Sequence, residues 1–306
     1  MCFGPSAVKA AGLCVQKRGV RERHFACGTE SQSQLGAAAL ADALARACLK
    51  PSDLDLLIGA CGVPEQALPS TACLIAEKAG LNPGAAAFDV NASCLSFLVA
   101  LRLAASLLVT SSYQRIAIVS CDLPSRGVDW NEPEASLIFG DGAAAVILER
   151  GHAAQGIRAF GFETYPEGRE FCEIRAGGTQ RNPRMGAVPQ DYLFRMDGRA
   201  VFKMAAQVIP GFLEKLMQNI DGGIKSIDLV VPHQASHLGM AHVARKLKLP
   251  ESRIVNIYET HGNQVAASIP TALHEAITTE RAGPGSRLLL MGTAAGLSVG
   301  GLVLDL

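Results

Sequence analysis

Charged and aromatic residues are scarce in this 306-residue chain, and these scarcities narrow the classes of protein it can belong to. Only 18% of the residues are charged, the 28 basic and 28 acidic side chains cancel, and aromatic residues reach only 5%. A chain without net charge gives no reason to expect nucleic acid or a membrane surface as a partner. The first residues do not join a basic region to an apolar core, so no signal peptide is expected.

Paired cysteines are also missing. The nine cysteines are odd in number and include no Cys-x-x-Cys pair, a pattern typical of neither a disulfide framework nor a zinc site. Free thiols suit a reducing compartment, so we expect a cytoplasmic protein without a metal site. The longest apolar run, residues 95–109, contains Arg102 and is too short to cross a bilayer, so it predicts a buried helix.

The abundant hydrophobic residues, 49% of the chain, form alternating strand and helix patterns. Continuous apolar runs are typical of strands in a sheet covered on both faces, and they predict strands at residues 54–59, 86–90, 115–120 and 143–148. The patterns between them predict helices near residues 35–49, 71–79 and 95–109. This alternation indicates an α/β fold.

The second half of the chain repeats this order of elements. Corresponding patterns lie at residues 226–231, 240–247, 254–258, 268–278, 286–291 and 299–304. The match predicts a duplicated α/β unit, with residues 1–152 as the first half and residues 153–306 as the second. Two such halves predict a layered sandwich in which two mixed sheets enclose central helices.

Cys94 lies where an apolar strand gives way to the apolar helix of residues 95–109. A thiol at a helix N-terminus faces unpaired N–H groups and the positive end of the helix dipole, and both stabilise a thiolate. A thiolate is the nucleophile that thioester chemistry needs. Taken alone, Cys94 could equally be a buried and inert cysteine.

A histidine and an asparagine follow strands of the second half. Val230-Val-Pro-His-Gln-Ala-Ser236 places His233 just beyond a strand, and His261-Gly-Asn-Gln-Val-Ala-Ala-Ser-Ile-Pro270 places Asn263 in a turn that opens a helix. A pseudo-twofold axis would bring both residues to Cys94, at the carboxyl ends of the strands. Taken singly, His233 could be a structural hydrogen-bonding residue and Asn263 a turn residue.

Together with Asn91-Ala-Ser-Cys94 and the turn Ile138-Phe-Gly-Asp-Gly-Ala143, these motifs resemble the thiolase-fold condensing enzymes. The resemblance is strongest to the 3-oxoacyl-ACP synthase III group, and it covers about nine-tenths of the chain. It implies a thiolase-like fold, a homodimer and an acyltransferase that uses acyl and malonyl thioesters of coenzyme A or acyl carrier protein. It implies no metal and no further cofactor.

The resemblance also implies a role for each site residue. Cys94 would hold the acyl group, while His233 and Asn263 would donate hydrogen bonds to a malonyl thioester as carbon dioxide leaves. Neutral donors aimed at developing negative charge act as an oxyanion hole. The backbone N–H groups of Cys94 and Ala295 would form a second oxyanion hole. The expected reaction is a decarboxylative Claisen condensation in fatty acid or specialised polyketide-type biosynthesis.

Substrate-binding positions follow from the same resemblance. Gly198, Phe202 and Ala235 would line the substrate site, and Lys203 would contact the phosphopantetheine of a carrier protein. Leu68 stands where a phenylalanine of the partner subunit closes the acyl pocket, and a smaller residue there leaves room for a bulkier acyl chain.

The adenine end of coenzyme A is where the chain departs from the family. Lys17 and Pro133 stand where two arginines grip the adenine, and the tryptophan of that grip is absent, since Trp130 lies elsewhere. The segment between the first strand, predicted at residues 7–15, and Lys17 is also shortened. These changes favour a carrier-bound or unusual acyl donor.

Two alternatives stay open. In one, the chain passes the acyl group from Cys94 to an alcohol, an amine or another thiol without decarboxylation; relatives of that kind commonly alter the asparagine, which is present here as Asn263. In the other, it is a non-catalytic partner subunit of the same fold, although Cys94, His233 and Asn263 are all retained.

Overall fold

The computed structural model describes residues 19–110, 112–151 and 155–306. The strand predicted at residues 7–15 and Lys17 therefore lie outside the described residues. The helices are α1 (Gln32–Arg46), α2 (Thr71–Ala79), α3 (Ser96–Thr110), α4 (Pro133–Ser136), α5 (Gly198–Met217), α6 (His237–Leu247), α7 (Tyr258–His261) and α8 (Ser268–Thr278). The strands are β1 (Leu56–Gly59), β2 (Ala86–Asp89), β3 (Arg115–Asp122), β4 (Gly142–Glu149), β5 (Gly156–Thr164), β6 (Cys172–Glu173), β7 (Arg195–Met196), β8 (Leu229–Pro232), β9 (Arg287–Ala294) and β10 (Ser298–Asp305).

Two mixed sheets of four strands form the framework. The first has the order β2-β1-β3-β4, in which β4 runs antiparallel to the other three strands. The second has the order β5-β10-β9-β8, in which β8 and β9 are parallel and β10 runs antiparallel to both its neighbours. The succession β1, β3, β4 in the first sheet thus recurs as β8, β9, β10 in the second.

Helices α3 and α8 lie between the two sheets. Their apolar side chains share one buried cluster with the inner faces of both sheets, including Ile58, Leu98, Ile269, Leu290 and Leu302. Helices α1 and α2 cover the outer face of the first sheet, and α5 covers the outer face of the second. The five alternating layers confirm the predicted sandwich of two mixed sheets around central helices.

Helix α3 owes its position to an unusually apolar sequence. The window Ser93–Thr110 has a mean hydropathy of 1.9, so by length and composition it could cross a membrane. In the fold, Leu98, Leu101 and Leu108 of this helix are buried in the cluster between the sheets. A helix enclosed by two sheets needs apolar residues around most of its circumference, which explains the composition.

The structure corrects one predicted element and adds others. Residues 254–258 do not form a strand: Ile254 makes a single parallel bridge to Val230, and the chain then turns into α7. The Oδ1 atom of Asn256 accepts a hydrogen bond from the N–H of Tyr258 (3.1 Å), a local contact that competes with pairing along a strand. Strand β5, helix α5 and the small β6–β7 pair were not predicted.

Candidate active site

Cys94 sits in a tight turn between β2 and α3. Ser93 has a φ of 54°, a left-handed backbone conformation that reverses the chain just before the cysteine. The Ser96 hydroxyl fixes the turn, since it accepts a hydrogen bond from the N–H of Ala92 (2.9 Å) and lies 3.0 Å from the carbonyl oxygen of Cys61. The turn holds the partly exposed thiol in the wall of a cavity.

The thiol is not the stabilised thiolate that we predicted. Burial raises the pKa of Cys94 to about 11 because the thiolate would lose its hydration. Hydrogen bonds from Ser93 and from the backbone N–H groups of Ala295 and Cys94 lower the pKa, and the Asp122 carboxylate raises it, but burial outweighs them all. Helix α3 also begins only at Ser96, so its dipole helps less than expected. The N–H groups of Cys94 and Ala295, the predicted oxyanion donors, both lie at the sulfur.

His233 follows strand β8 and is held by β9. Its backbone N–H donates to the carbonyl oxygen of Met291 (2.8 Å), and the absence of a side chain at Gly292 leaves room for its Cβ. The side chain is buried, and burial lowers the pKa of His233 to about 4. The ring is therefore neutral near pH 7. Within the described residues its Nδ1 atom has no hydrogen-bond partner.

The backbone of Asn263 is tied to the glycine turn that follows Ile138. The N–H of Asn263 donates to the carbonyl oxygen of Ile138 (2.8 Å), and its carbonyl oxygen accepts from the N–H of Gly140 (3.1 Å). Gly262 has a φ of 68°, and a Cβ at that position would lie 2.6 Å from the Ile138 carbonyl oxygen. Only glycine fits there, which explains the Gly-Asn pair of the motif.

The Asn263 side chain is oriented by a second set of contacts. Its Oδ1 atom accepts a hydrogen bond from the N–H of Val265 (2.9 Å), whereas Nδ2 makes only a long contact of 3.4 Å to the carbonyl oxygen of Ala235. Because the acceptor atom is occupied, the amide group is available chiefly as a donor. This is the role that the resemblance assigns to Asn263.

Cys94, His233 and Asn263 line one cavity of about 1100 Å³. Among the other predicted residues, the cavity wall also contains Gly198, Phe202, Ala235 and Ala295. Much of the remaining wall is apolar, with Val63, Ile138, Phe139, Phe194, Met196 and Ile209. The fold therefore gathers residues from both halves of the chain around a space suited to an acyl chain.

Two predicted binding residues do not line this cavity. Lys203 is exposed to solvent, and Leu68 has 85% of its surface exposed. Trp130 is also absent from the cavity lining, and it packs edge-on against Phe25 with 5.6 Å between ring centroids. An outward-facing Leu68 does not close the pocket of its own chain.

Among the residues of the cavity wall that were not predicted are Asp122, Glu134 and Cys172. Asp122 ends strand β3, and a polar residue at the carboxyl end of an apolar strand is a signal that could have identified it. Glu134 accepts a hydrogen bond from the N–H of Gly198 (2.9 Å). This contact joins segments distant in the chain, and no sequence pattern predicts it. Cys172 lies in the short β6–β7 pair, whose strands are too short to leave a pattern.

The class of the protein follows from this arrangement. Two α/β halves with matching strand orders meet at a partly buried thiol, and the second half adds a neutral imidazole and a carboxamide to the same cavity. A fold and a site of this kind define the thiolase-fold condensing enzymes.

Comparison with known proteins identifies the family within that class. The model of 3-oxoacyl-[acyl-carrier-protein] synthase III matches residues 88–168, and the model of its C-terminal region matches residues 217–306. A beta-ketoacyl-[acyl-carrier-protein] synthase III from Natranaerobius thermophilus is 33% identical over 288 residues, which cover 93% of this chain and 87% of that protein. The chain belongs to the 3-oxoacyl-ACP synthase III family.

Solved structures support the same relationship. The 3-oxoacyl-[acyl-carrier-protein] synthase III from Aquifex aeolicus superposes with a TM-score of 0.86 at 28% identity, covering 97% of this chain and 91% of that chain. The corresponding enzyme from Pseudomonas aeruginosa gives a TM-score of 0.85 at 30% identity, covering 96% of this chain and 89% of that chain. The predicted thiolase-like fold is confirmed.

Proposed function

We propose that this chain catalyses the decarboxylative Claisen condensation of an acyl thioester, held on Cys94, with a malonyl thioester. The observation that carries the proposal is the convergence of a thiol, a neutral imidazole and a carboxamide on one largely apolar cavity. Cys94, His233 and Asn263 are the proposed catalytic residues. The reaction needs only these groups and the two thioesters, without a metal or an organic cofactor.

The first step transfers the acyl group to the enzyme. The Cys94 sulfur attacks the carbonyl carbon of the donor, and its proton passes to the neutral ring of His233. A thiol with a pKa of about 11 is seldom ionised at neutral pH, so removal of the proton has to accompany the attack. The backbone N–H groups of Cys94 and Ala295 donate to the tetrahedral oxyanion. The bond to the donor sulfur then breaks, and the departing thiolate takes the proton from His233.

The second step forms the carbon–carbon bond. The malonyl carboxylate leaves as carbon dioxide, and its bonding electrons form an enolate. His233 and Asn263 donate hydrogen bonds to the enolate oxygen, and each donor of this kind is worth about 3 kcal/mol of activation free energy. The enolate carbon attacks the acyl carbonyl, and the Cys94 thiolate leaves and takes a proton from solvent. A charged histidine is not required in this second step, which agrees with a pKa of about 4 for His233.

Acyl carrier protein and coenzyme A are the proposed carriers of the substrates. The similar Natranaerobius thermophilus protein is named for an acyl carrier protein. Exposed Lys203 supports docking of that carrier, and Leu68 supports a homodimer in which each subunit closes the acyl pocket of the other. The replaced adenine contacts at Lys17 and Pro133 support a carrier-bound or unusual acyl donor. We place the enzyme in the cytoplasm.

Intact mass spectrometry tests the proposal. Wild-type protein is incubated with acyl thioesters, and we expect a mass increase that Cys94→Ser abolishes and that Cys73→Ser, at an exposed cysteine outside the cavity, retains. Malonyl-ACP or malonyl-CoA is then added, and release of carbon dioxide is measured. Acylation without carbon dioxide would indicate an acyltransferase instead, and no acylation at all would indicate a non-catalytic subunit.

The choice of donor has its own test. Acylation of Cys94 is compared between acetyl-CoA and the same acyl group on acyl carrier protein. We expect the carrier-bound donor, or a bulkier acyl chain, to react faster. Efficient acylation by micromolar acetyl-CoA without carrier protein would contradict this part of the proposal.

A further inference from the structure

Asp122 connects the two halves of the candidate active site. Its Oδ1 atom accepts hydrogen bonds from the N–H groups of Gly62 (2.8 Å) and Val63 (3.2 Å), which follow strand β1. Its Oδ2 atom accepts a hydrogen bond from the N–H of Ala266 (3.1 Å), in the turn that opens α8. One buried carboxylate therefore holds segments about 200 residues apart in the sequence.

The turn that Asp122 holds is the one that carries Asn263. Val265, whose N–H donates to Asn263 Oδ1, has a φ of 53°, a left-handed conformation that is strained for a β-branched residue. Such a conformation persists only where the surroundings impose it. The hydrogen bond from Ala266 to Asp122 is one such constraint. Packing is another: the Val265 side chain lies so close to Gly62 that a Cβ at that glycine would collide with Val265 Cγ1.

We infer that Asp122 is a positioning residue for condensation, which fixes the Asn263 turn against the segment of residues 62–63. The inference rests on the proposed function, since it concerns the donor that stabilises the enolate. Asp122 itself touches neither substrate nor sulfur in this assignment. Its removal should therefore impair decarboxylation more than acylation of Cys94.

The charge of Asp122 provides a second and independent readout. Burial raises the pKa of Asp122 to about 7, against the lowering effect of the backbone N–H groups that it accepts. The thiols of Cys61, Cys94 and Cys121 lie close enough to feel its charge, and in the described part of the chain no lysine or arginine forms a salt bridge with it. A neutral residue at position 122 removes a negative charge that disfavours the Cys94 thiolate. The thiol should then react faster with iodoacetamide.

Asp122→Asn is the variant that tests this inference. An asparagine has one acceptor oxygen, so it can hold the segment of residues 62–63 or the Asn263 turn but not both. Asp89→Asn is the matched control, because Asp89 ends strand β2 of the same sheet and accepts hydrogen bonds from the N–H groups of Thr71 (2.8 Å) and Ala72 (2.7 Å) outside the cavity. The measurements are carbon dioxide release, iodoacetamide labelling of Cys94 at about pH 8, and amide hydrogen exchange.

For Asp122→Asn we expect the rate of carbon dioxide release to fall by at least about 10-fold. The loss should approach ~100-fold if the donor moves by about 1 Å. Labelling of Cys94 should be faster, and residues 263–268 should exchange faster, whereas Asp89→Asn should change none of the three measurements. The inference would be overturned if labelling of Cys94 and carbon dioxide release fell equally. It would also be overturned if amide hydrogen exchange and the rate of carbon dioxide release both kept their wild-type values. If Asp122→Asn does not fold, Asp122→Ser is measured in its place.

The two proposals fail in distinguishable ways. A wild-type protein that releases no carbon dioxide would contradict the proposed reaction. The labelling and exchange measurements would still test whether Asp122 holds the Asn263 turn. If the wild type releases carbon dioxide normally and Asp122→Asn releases it at the same rate, only the positioning role of Asp122 would be contradicted.

Discussion

The charge of His233 differs between the folded and unfolded chain. Burial lowers the pKa of this histidine from 6.5 to about 4. Between these pH values the unfolded chain binds a proton that the folded chain does not, so acid favours unfolding. The neutral ring of His233 makes its full contribution to the free energy of unfolding above about pH 6.5. This contribution is lost as the pH falls towards 4, and the total loss is about 3 kcal/mol.

We therefore expect His233→Gln to lose less stability in acid than the wild type does. The measurement is the free energy of unfolding in urea at about pH 7 and about pH 4.5. The difference between the two pH values should be smaller in the variant by about 2–3 kcal/mol. Equal differences in the two proteins would show that His233 is not the buried, neutral group described here.

The convergence of Cys94, His233 and Asn263 on one cavity could be predicted, but the ionisation of Cys94 could not. Cys94, His233 and Asn263 stand in short motifs because thioester chemistry restricts both residue type and local backbone. The thiolate prediction considered only the neighbouring helix, whereas the burial that decides the pKa of Cys94 depends on how the whole fold packs around the thiol. Asp122 was overlooked because a single carboxylate after a strand forms no motif of its own.

Strand β9 packs tightly against His233 at Gly292. A Cβ there would lie 2.6 Å from His233 Cβ and 3.2 Å from Leu95 Cδ2, so an alanine must displace the histidine. We expect Gly292→Ala to slow carbon dioxide release by about 10-fold or more, because the donor to the enolate moves. Labelling of Cys94 by iodoacetamide should persist.

Gly211→Ala is the control for this prediction. Nothing lies within 4 Å of a Cβ at position 211, and alanine is the better residue inside α5. We expect unchanged activity and a gain of about 0.5–1 kcal/mol in the free energy of unfolding. A Gly292→Ala enzyme as active as this control would contradict the argument for close approach at β9.

Elements with long, uniform patterns were predicted within a few residues, and short or interrupted ones were not. Helix α8 was predicted with its observed bounds, Ser268–Thr278. Helix α5 contains Pro210 followed by Gly211, two residues that weaken a helical pattern, and it forms because its apolar side covers the second sheet. Strands β6 and β7 have two residues each and depend on pairing across about 20 residues, which no local pattern reveals.

On the surface of the whole molecule, a large apolar side chain, that of Leu68, lies in solvent beside the cavity. Leu68 is 85% exposed, although Ala67 and Gln66 before it line the cavity wall. A second subunit that buries this side chain would account for its exposure and would place it at the partner's acyl pocket, as the proposed homodimer requires.

We expect Leu68→Asp to shift the protein from dimer towards monomer in analytical ultracentrifugation, because burial of a carboxylate opposes association. Val109→Asp, at another apolar position with 77% exposure, should leave the dimer intact. Leu68→Phe should keep the dimer and favour shorter acyl chains in the acylation of Cys94, since a larger ring fills the pocket. A wild-type protein that is monomeric at micromolar concentration, or an unchanged chain-length preference in Leu68→Phe, would contradict the assignment of Leu68 to a partner's pocket.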